Sequence, residues 1–149
     1  LPGTVYNKDV NELIGDIQGD VLYLDPPYNS RQYCSNYHVL ETIARYDNPT
    51  LRGITGQRDS DEQKSLFCSK KYAAQAFEDL IAKAQFKYIF LSYNNEGLMS
   101  LKTIQEIMSG YGRYSCRTTE YKRFQADNAS RRNISAKTTT EYLHCLIKT

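Results

Sequence analysis

The chain has 149 residues, of which 40% are apolar and 24% charged, and its formal net charge is +2. That length is enough for one ordinary domain with a real core, and the composition is globular, which excludes collagen-like, low-complexity and highly charged disordered classes. No apolar run reaches membrane-span length and no signal peptide opens the chain, so the expected setting is cytoplasmic with no membrane partner.

The four cysteines, Cys34, Cys68, Cys116 and Cys145, form no C-x-x-C pair. No metal site is therefore expected, and reduced structural thiols are the simpler reading. The start at Leu1 rather than Met suggests an excised piece of a longer chain. Charge is spread unevenly: residues 1–109 hold 11 Lys+Arg against 14 Asp+Glu, whereas residues 110–149 hold 8 against 3. A basic C-terminal segment suits a polyanion, with plain solvated charge as the alternative.

In chain order, 4–7 is a short β-prone segment and 10–17 a short helix carrying Val10, Leu13, Ile14 and Ile17. Residues 21–24 form an apolar run that reads as a strand covered on both faces, and it stops at Asp25-Pro26-Pro27 because proline cannot donate to a ladder. Residues 36–46 read as a helix with Tyr37, Leu40, Ile43 and Ala44 on one face. The polar stretch 47–64, with Arg52 and Arg58, is too long for an ordinary connection and reads as a functional or mobile loop. Then come a helix over 71–84 with Ala73, Ala76, Phe77, Leu80 and Ile81 inward, a buried strand over 88–92, and a helix over 101–108 ended by Gly110 and Gly112. Two long strands, 114–124 and 140–148, flank a polar, basic link. Helices between buried strands predict an α/β fold with a mainly parallel sheet and a closing antiparallel hairpin, in a single domain over 1–149.

The chemistry concentrates at Asp25-Pro26-Pro27-Tyr28. In open α/β sheets ligands bind at the carboxyl ends of strands, where this tetrapeptide sits. Asp25 is an acceptor-only carboxylate, and Pro26 offers a carbonyl with no N–H of its own. Pro27 stiffens the turn, and Tyr28 brings a flat aromatic face. Two acceptors beside such a face can take both hydrogens of an exocyclic ring amine and aim its lone pair at an electrophilic methyl. Positioning and electrostatics then carry the catalysis. Methylating a ring carbon of cytosine would instead call for a cysteine nucleophile after a proline, and no Pro-Cys occurs. The plain alternative is a rigid turn that ends a strand.

In its motifs the chain resembles the Dam-like DNA adenine-N6 methyltransferases of restriction–modification systems. D-P-P-Y matches the catalytic motif, and Asn7-Lys8-Asp9-Val10 matches the preceding cofactor motif. The stretch from Arg31-Gln32-Tyr33 to Asn36-Tyr37-His38, the strand and loop from Phe90 to Gly97, and the C-terminal hairpin follow in the family's order. The resemblance implies a Rossmann-like methyltransferase sheet. It also implies S-adenosylmethionine as cofactor, bordered by Asp9, Val10, Asp25 and Tyr37, with Asp9 on the amine of the cofactor's adenine. The implied substrate is double-stranded DNA with a flipped adenine. DNA contacts are expected from Arg31, Lys122, Arg123, Arg131 and Arg132, with Lys137 a further candidate. Phe124 is weighed between the flipped base and the core. The family's glycine-rich loop for the methionine end of the cofactor is not found here, nor is its target-recognition region. The expected object is thus a C-terminal catalytic part, inactive alone, that needs an N-terminal part or companion polypeptide. Two rival readings are a non-catalytic DNA-binding or split-subunit fragment and an RNA adenine methyltransferase.

Other candidates are weaker. Asn94, Asn95 and Glu96 follow the second buried strand and could line the same crevice or form a polar turn. His38 and His144 are not spaced as ligands, and Tyr33 could border the base pocket.

Overall fold

The computed structural model describes residues 2–122 and 138–149. Helix α1, Val10–Leu13, opens on an Asp9 cap whose carboxylate accepts from the Asn11 amide. It is shorter than the predicted 10–17 because residues 14–16 turn away, and residues 4–7 form no strand. Strand β1 spans Gln18–Leu24, followed by helices α2, Tyr33–Asn36, and α3, His38–Arg45. The stretch 47–64, read as a loop, holds a two-stranded hairpin of β2, Leu51–Arg52, and β3, Gln57–Arg58. Gly53 and Gly56 turn it at φ +71° and +61°, the left-handed region that favours glycine. Short 3-10 turns at Asp61–Gln63 and Leu66–Cys68 lead into helix α4, Ala73–Lys83. Strand β4, Gln85–Asn94, helix α5, Leu101–Ser109, and strands β5, Gly112–Lys122, and β6, Thr138–Lys148, complete the order.

The main sheet has the order β1-β4-β6-β5. Among the described residues only the β1–β4 pair is parallel, and β6 runs antiparallel to both β4 and β5. The expectation of a mainly parallel sheet is corrected accordingly. Strand β6 returns between β4 and β5 instead of lying outside them, so two of the three described pairings are antiparallel. What holds is an α/β sheet with one crossover from β1 to β4 and a C-terminal antiparallel hairpin.

One sheet face carries the core. Leu24, Ile89, Leu91, Tyr93 and Leu146 meet Phe77, Leu80 and Ile81 of α4 and Ile104 and Met108 of α5. Each such apolar side chain, fully buried, contributes about 1.5–3 kcal/mol of transfer free energy. The inward set predicted for α4 is the set found buried. Asn11 ties α1 to α4 through the Ala76 carbonyl at 2.8 Å and Asp79 at 2.9 Å. Lys148 caps the other end of α4, donating to the carbonyls of Ile81, Ala82 and Ala84 at 2.7–2.9 Å. Gly112 lies so near the Ile147 carbonyl that a Cβ there would overlap it.

The opposite face is open among the described residues. Val21 and Tyr23 are exposed, which corrects the reading of β1 as covered on both sides. β1 is also an edge strand of the described sheet. The 36–46 helix is a second correction: it breaks at Tyr37, and Leu40 and Ile43 face outward, so α3 contributes nothing to the core.

Candidate active site

Strand β1 delivers Asp25-Pro26-Pro27-Tyr28 at its carboxyl end, beside the point where its parallel partner β4 ends. Pairing of Leu24 with Leu91 sets that register, and both side chains are buried. Asp25 is exposed and has no hydrogen-bond or ion-pair partner among the described residues. Its acceptor capacity is therefore uncommitted. Asp25, Pro26 and Pro27 line a cavity of about 330 Å³ whose floor is apolar: Val10, Leu24, Phe67, Phe77 and Leu80.

Tyr28 is supported from β4 and the loop after it. The Tyr28 carbonyl accepts from the Leu98 amide at 3.0 Å. The ring of buried Tyr93 stands edge-on to the Tyr28 ring, and the Tyr93 hydroxyl accepts from the Met99 amide at 3.3 Å. Burial pushes the Tyr93 phenol up from its ordinary range. Gly97 leaves room for that ring, since a Cβ there would overlap it. The order of motifs along the chain marks this strand and loop but not the support that Tyr93, Gly97 and Leu98 give Tyr28. The available signal is a strand ending in Tyr-Asn-Asn followed by an early glycine.

A second, more polar cavity of about 620 Å³ is lined by Asn7, Lys8, Asp9, Tyr33, Tyr37, Glu41, Arg45, Lys64 and Ser65, among others. Ser65 lines both cavities, so they adjoin. The four residues expected to hold a cofactor are thus divided. Val10 and Asp25 line the smaller cavity, and Asp9 and Tyr37 the larger. Asp9 spends Oδ1 on the α1 cap at 2.8 Å. Burial, then the neighbouring Tyr28, Tyr37 and Asp25, raise the Tyr33 phenol. Tyr33 and Tyr37 meet edge to face at 5.7 Å.

Ser65, which lines both cavities, is clamped by Gln32. Its amide donates to the Ser65 carbonyl at 3.1 Å and accepts from the Ser65 amide at 2.8 Å. The Cys68 thiol donates to the Arg31 carbonyl at 3.4 Å. These bonds join the segment after D-P-P-Y to residues more than thirty positions later. Nothing in the local sequence around Gln32 signals them.

The other sequence-selected residues scatter. Arg31 is exposed next to the D-P-P-Y turn, its amide held by Asn29 at 2.9 Å. Asn94 is buried, and its side chain accepts from the Glu96 amide at 3.1 Å. Asn95 accepts from the Thr140 amide at 3.1 Å, so it braces β6. His38 sits at the start of α3. His144 is buried on β6 against the Tyr114 hydroxyl, 2.9 Å away. Lys122 ends β5. Arg123, Phe124, Arg131, Arg132 and Lys137 lie outside the described residues.

Comparison with known proteins shows the family. Residues 3–109 match the family model described as D12 class N6 adenine-specific DNA methyltransferase. The chain is 54% identical over 145 residues to the type II methyltransferase M.NlaIII of Neisseria lactamica, which is 97% of this chain and 43% of that protein. It is 53% identical over 107 residues to the type II methyltransferase M.FokI of Planomicrobium okeanokoites, covering 72% of this chain and 16% of that protein. It is 42% identical over 129 residues to the modification methylase StsI of Streptococcus sanguinis, covering 85% of this chain and 20% of that protein. The chain thus spans less than half the length of each of these relatives, and no solved structure matches it. On this match, with D-P-P-Y at a strand end, the chain belongs to the D12 class of N6 adenine-specific DNA methyltransferases.

Proposed function

We propose that the chain is the catalytic part of a DNA methyltransferase that transfers a methyl group from S-adenosylmethionine to adenine N6. The observation that carries this reading is the free Asp25 carboxylate at the end of β1, beside a Tyr28 ring held by Tyr93. The Asp25 carboxylate and the Pro26 carbonyl accept the two amine hydrogens of a flipped adenine, and the Tyr28 face stacks on its ring. Holding both hydrogens turns the nitrogen lone pair toward the methyl donor. Once the amine is methylated, its surplus proton would leave by way of Asp25 or solvent. No covalent enzyme intermediate is required.

The residues present fit the adenine end of the cofactor. Asp9 retains an uncommitted oxygen at the rim of a cavity that Tyr33 and Tyr37 flank with aromatic rings. Val10 and Asp25 would border the cofactor from the adjoining cavity. When bound, S-adenosylmethionine supplies the electrophilic methyl. Its methionine end falls to a glycine-rich loop that these 149 residues do not contain. The chain alone is accordingly proposed to be inactive and to need a further N-terminal part or companion polypeptide. Its match to only 43% of the first relative and the open face beside the β1 edge support that need.

DNA is proposed to meet Arg31 near the site and the basic C-terminal segment, including Lys122, Arg123, Arg131 and Arg132. Among the described residues no helix is long and apolar enough to cross a membrane. The test is transfer of labelled methyl from S-adenosylmethionine by the complete protein. The expected product is N6-methyladenine in duplex DNA. Label appearing only in RNA, or none with every substrate, overturns the reading.

A further inference from the structure

Helix α3 is amphipathic but turned the wrong way round for a core helix. Its polar side chains face the protein: Glu41 accepts from Gln63 at 3.0 Å, and the Thr42 hydroxyl accepts from Arg58 at 3.4 Å. Its apolar side chains, Val39, Leu40 and Ile43, spaced three and four residues apart on one face, are all exposed, with Ile43 at 66%. Tyr46, just past its end, is 94% exposed. Leu51 and Ile54 add two further exposed apolar side chains on the hairpin that packs against α3. An eight-residue helix gains most of its stability by burying an apolar face, and here nothing among the described residues covers that face.

The charges around it decide what kind of partner fits. All four cations between residues 38 and 64 are ion-paired: Arg45 with Glu41, Arg52 with Asp59, Arg58 with Asp47, and Lys64 with Asp61. The Arg58 guanidinium is buried and grips Asp47 through two bonds of 3.1 and 2.6 Å. A phosphate surface needs uncommitted cations, and this one has been neutralised. An apolar, charge-neutral face fits another polypeptide surface.

We propose that the outward face of α3 with its hairpin is the docking surface for the polypeptide that holds the methionine end of the cofactor. This inference rests on the function proposed above. The size of the relatives argues for that occupant. Nearly all of this chain aligns with M.NlaIII, yet it accounts for only 43% of that protein, so more than half of such a protein lies outside the matched part. The position argues the same way. Tyr37 stands at the N-terminal end of α3, and Tyr37, Glu41 and Arg45 line the larger cavity, so the helix that carries the apolar face also walls the site.

The test is covalent side-chain footprinting of the complete protein, meaning this chain together with the glycine-loop polypeptide, fused or separate, without DNA. Leu40, Ile43 and Tyr46 are expected to be modified as slowly as the buried Phe77. Modification at the rate of free side chains overturns the proposal. So does protection that appears only with added duplex DNA, or protection that follows self-association of this chain by sedimentation. As a second readout, Leu40→Asp with Ile43→Asp is expected to lower the thermal midpoint of the complete protein, and an unchanged midpoint overturns the proposal. Methyl transfer to duplex DNA is measured in parallel. Transfer with a freely labelled α3 removes this inference and leaves the function standing, whereas a covered α3 without transfer removes the function and with it the cofactor-holding identity of the partner.

Discussion

The rings of Tyr28 and Tyr93 stand edge to face, with centroids 6.2 Å apart and planes at 83°. Such pairs contribute about 0.5–1.5 kcal/mol beyond burial, and here the buried partner aims the exposed one. Tyr93→Phe keeps the ring and loses the backbone bonds to its hydroxyl from Met99 and Leu98, so turnover of the complete enzyme should change little. Tyr93→Leu removes the edge and leaves a void, and Gly97→Ala pushes on the ring. Both should lower turnover by about tenfold or more, the penalty for a misplaced reacting group. Steady-state methylation kinetics of the three variants decide it, and equal rates for Phe and Leu would remove the ring's positioning role.

Asp25→Ala should abolish methyl transfer in the complete enzyme while leaving the fold intact. The carboxylate is exposed and has no hydrogen-bond or ion-pair partner among the described residues, so its loss should change stability by less than about 0.5 kcal/mol. The loss in turnover should reach at least about a hundredfold, as for removal of one preorganised polar group at a reacting centre. Near-wild-type turnover, or a collapsed thermal midpoint, would each contradict the assignment.

Gln32 should behave as a positioning residue. Gln32→Glu keeps the acceptor for the Ser65 amide and loses the donor to its carbonyl, whereas Gln32→Leu loses both. The expected order of cofactor affinity in the complete enzyme is wild type, then Glu, then Leu. Folding stability should also fall, by about 1–3 kcal/mol for Leu, since it leaves part-buried backbone groups unpaired. Calorimetric titration with S-adenosylmethionine reads the affinity order, and urea unfolding reads the stability. An unchanged affinity for Leu would make the clamp purely structural.

How far these features can be read without coordinates varies by element. Helix α4 is legible because Ala73, Ala76, Phe77, Leu80 and Ile81 recur at helical spacing and all are buried. The D-P-P-Y turn is legible because prolines end a strand wherever it runs. Helix α3 shows the same apolar period, but periodicity identifies a face and not what covers it. The place of β6 between β4 and β5 is likewise absent from the strand patterns, because alternation records exposure and not neighbours. The Gln32–Ser65 clamp and the Tyr93 support of Tyr28 join distant positions, so local spacing carries no trace of them.

His144 should make stability depend on pH. Burial lowers its pKa from 6.5 to about 4. Between those values the unfolded chain binds a proton that the folded chain refuses, so stability rises with pH there. The His144 contribution is fully present above about pH 6.5 and is lost as pH falls toward 4, by up to about 3 kcal/mol. Urea unfolding of wild type and His144→Phe from pH 7 to pH 4.5 should show a shallower decline in the variant. Parallel declines would mean that carboxylates, not His144, govern the acid limb.

DNA binding should separate two groups of arginines by salt dependence. Removing one cation from a phosphate lowers the slope of log affinity against log salt by roughly one unit. Arg52 is bound to Asp59 at 3.0 Å and belongs to a segment whose cations are all paired. Releasing it to a phosphate would first break that pair, and Arg52→Ala should leave the slope unchanged. Residues 110–149 carry 8 Lys+Arg against 3 Asp+Glu, so this segment is strongly basic. Arg131→Ala with Arg132→Ala should reduce the slope by roughly two units and weaken binding about equally on target and non-target duplexes. The rate of methyl transfer within the bound complex should stay the same, because phosphate contacts position the duplex and the proposed amine acceptors, Asp25 and Pro26, are untouched. Binding isotherms of the complete protein over a range of salt, on both duplexes, make the comparison. A reduced slope for Arg52→Ala with none for the double variant would move the phosphate surface to the hairpin and would also undercut α3 as a polypeptide-docking face.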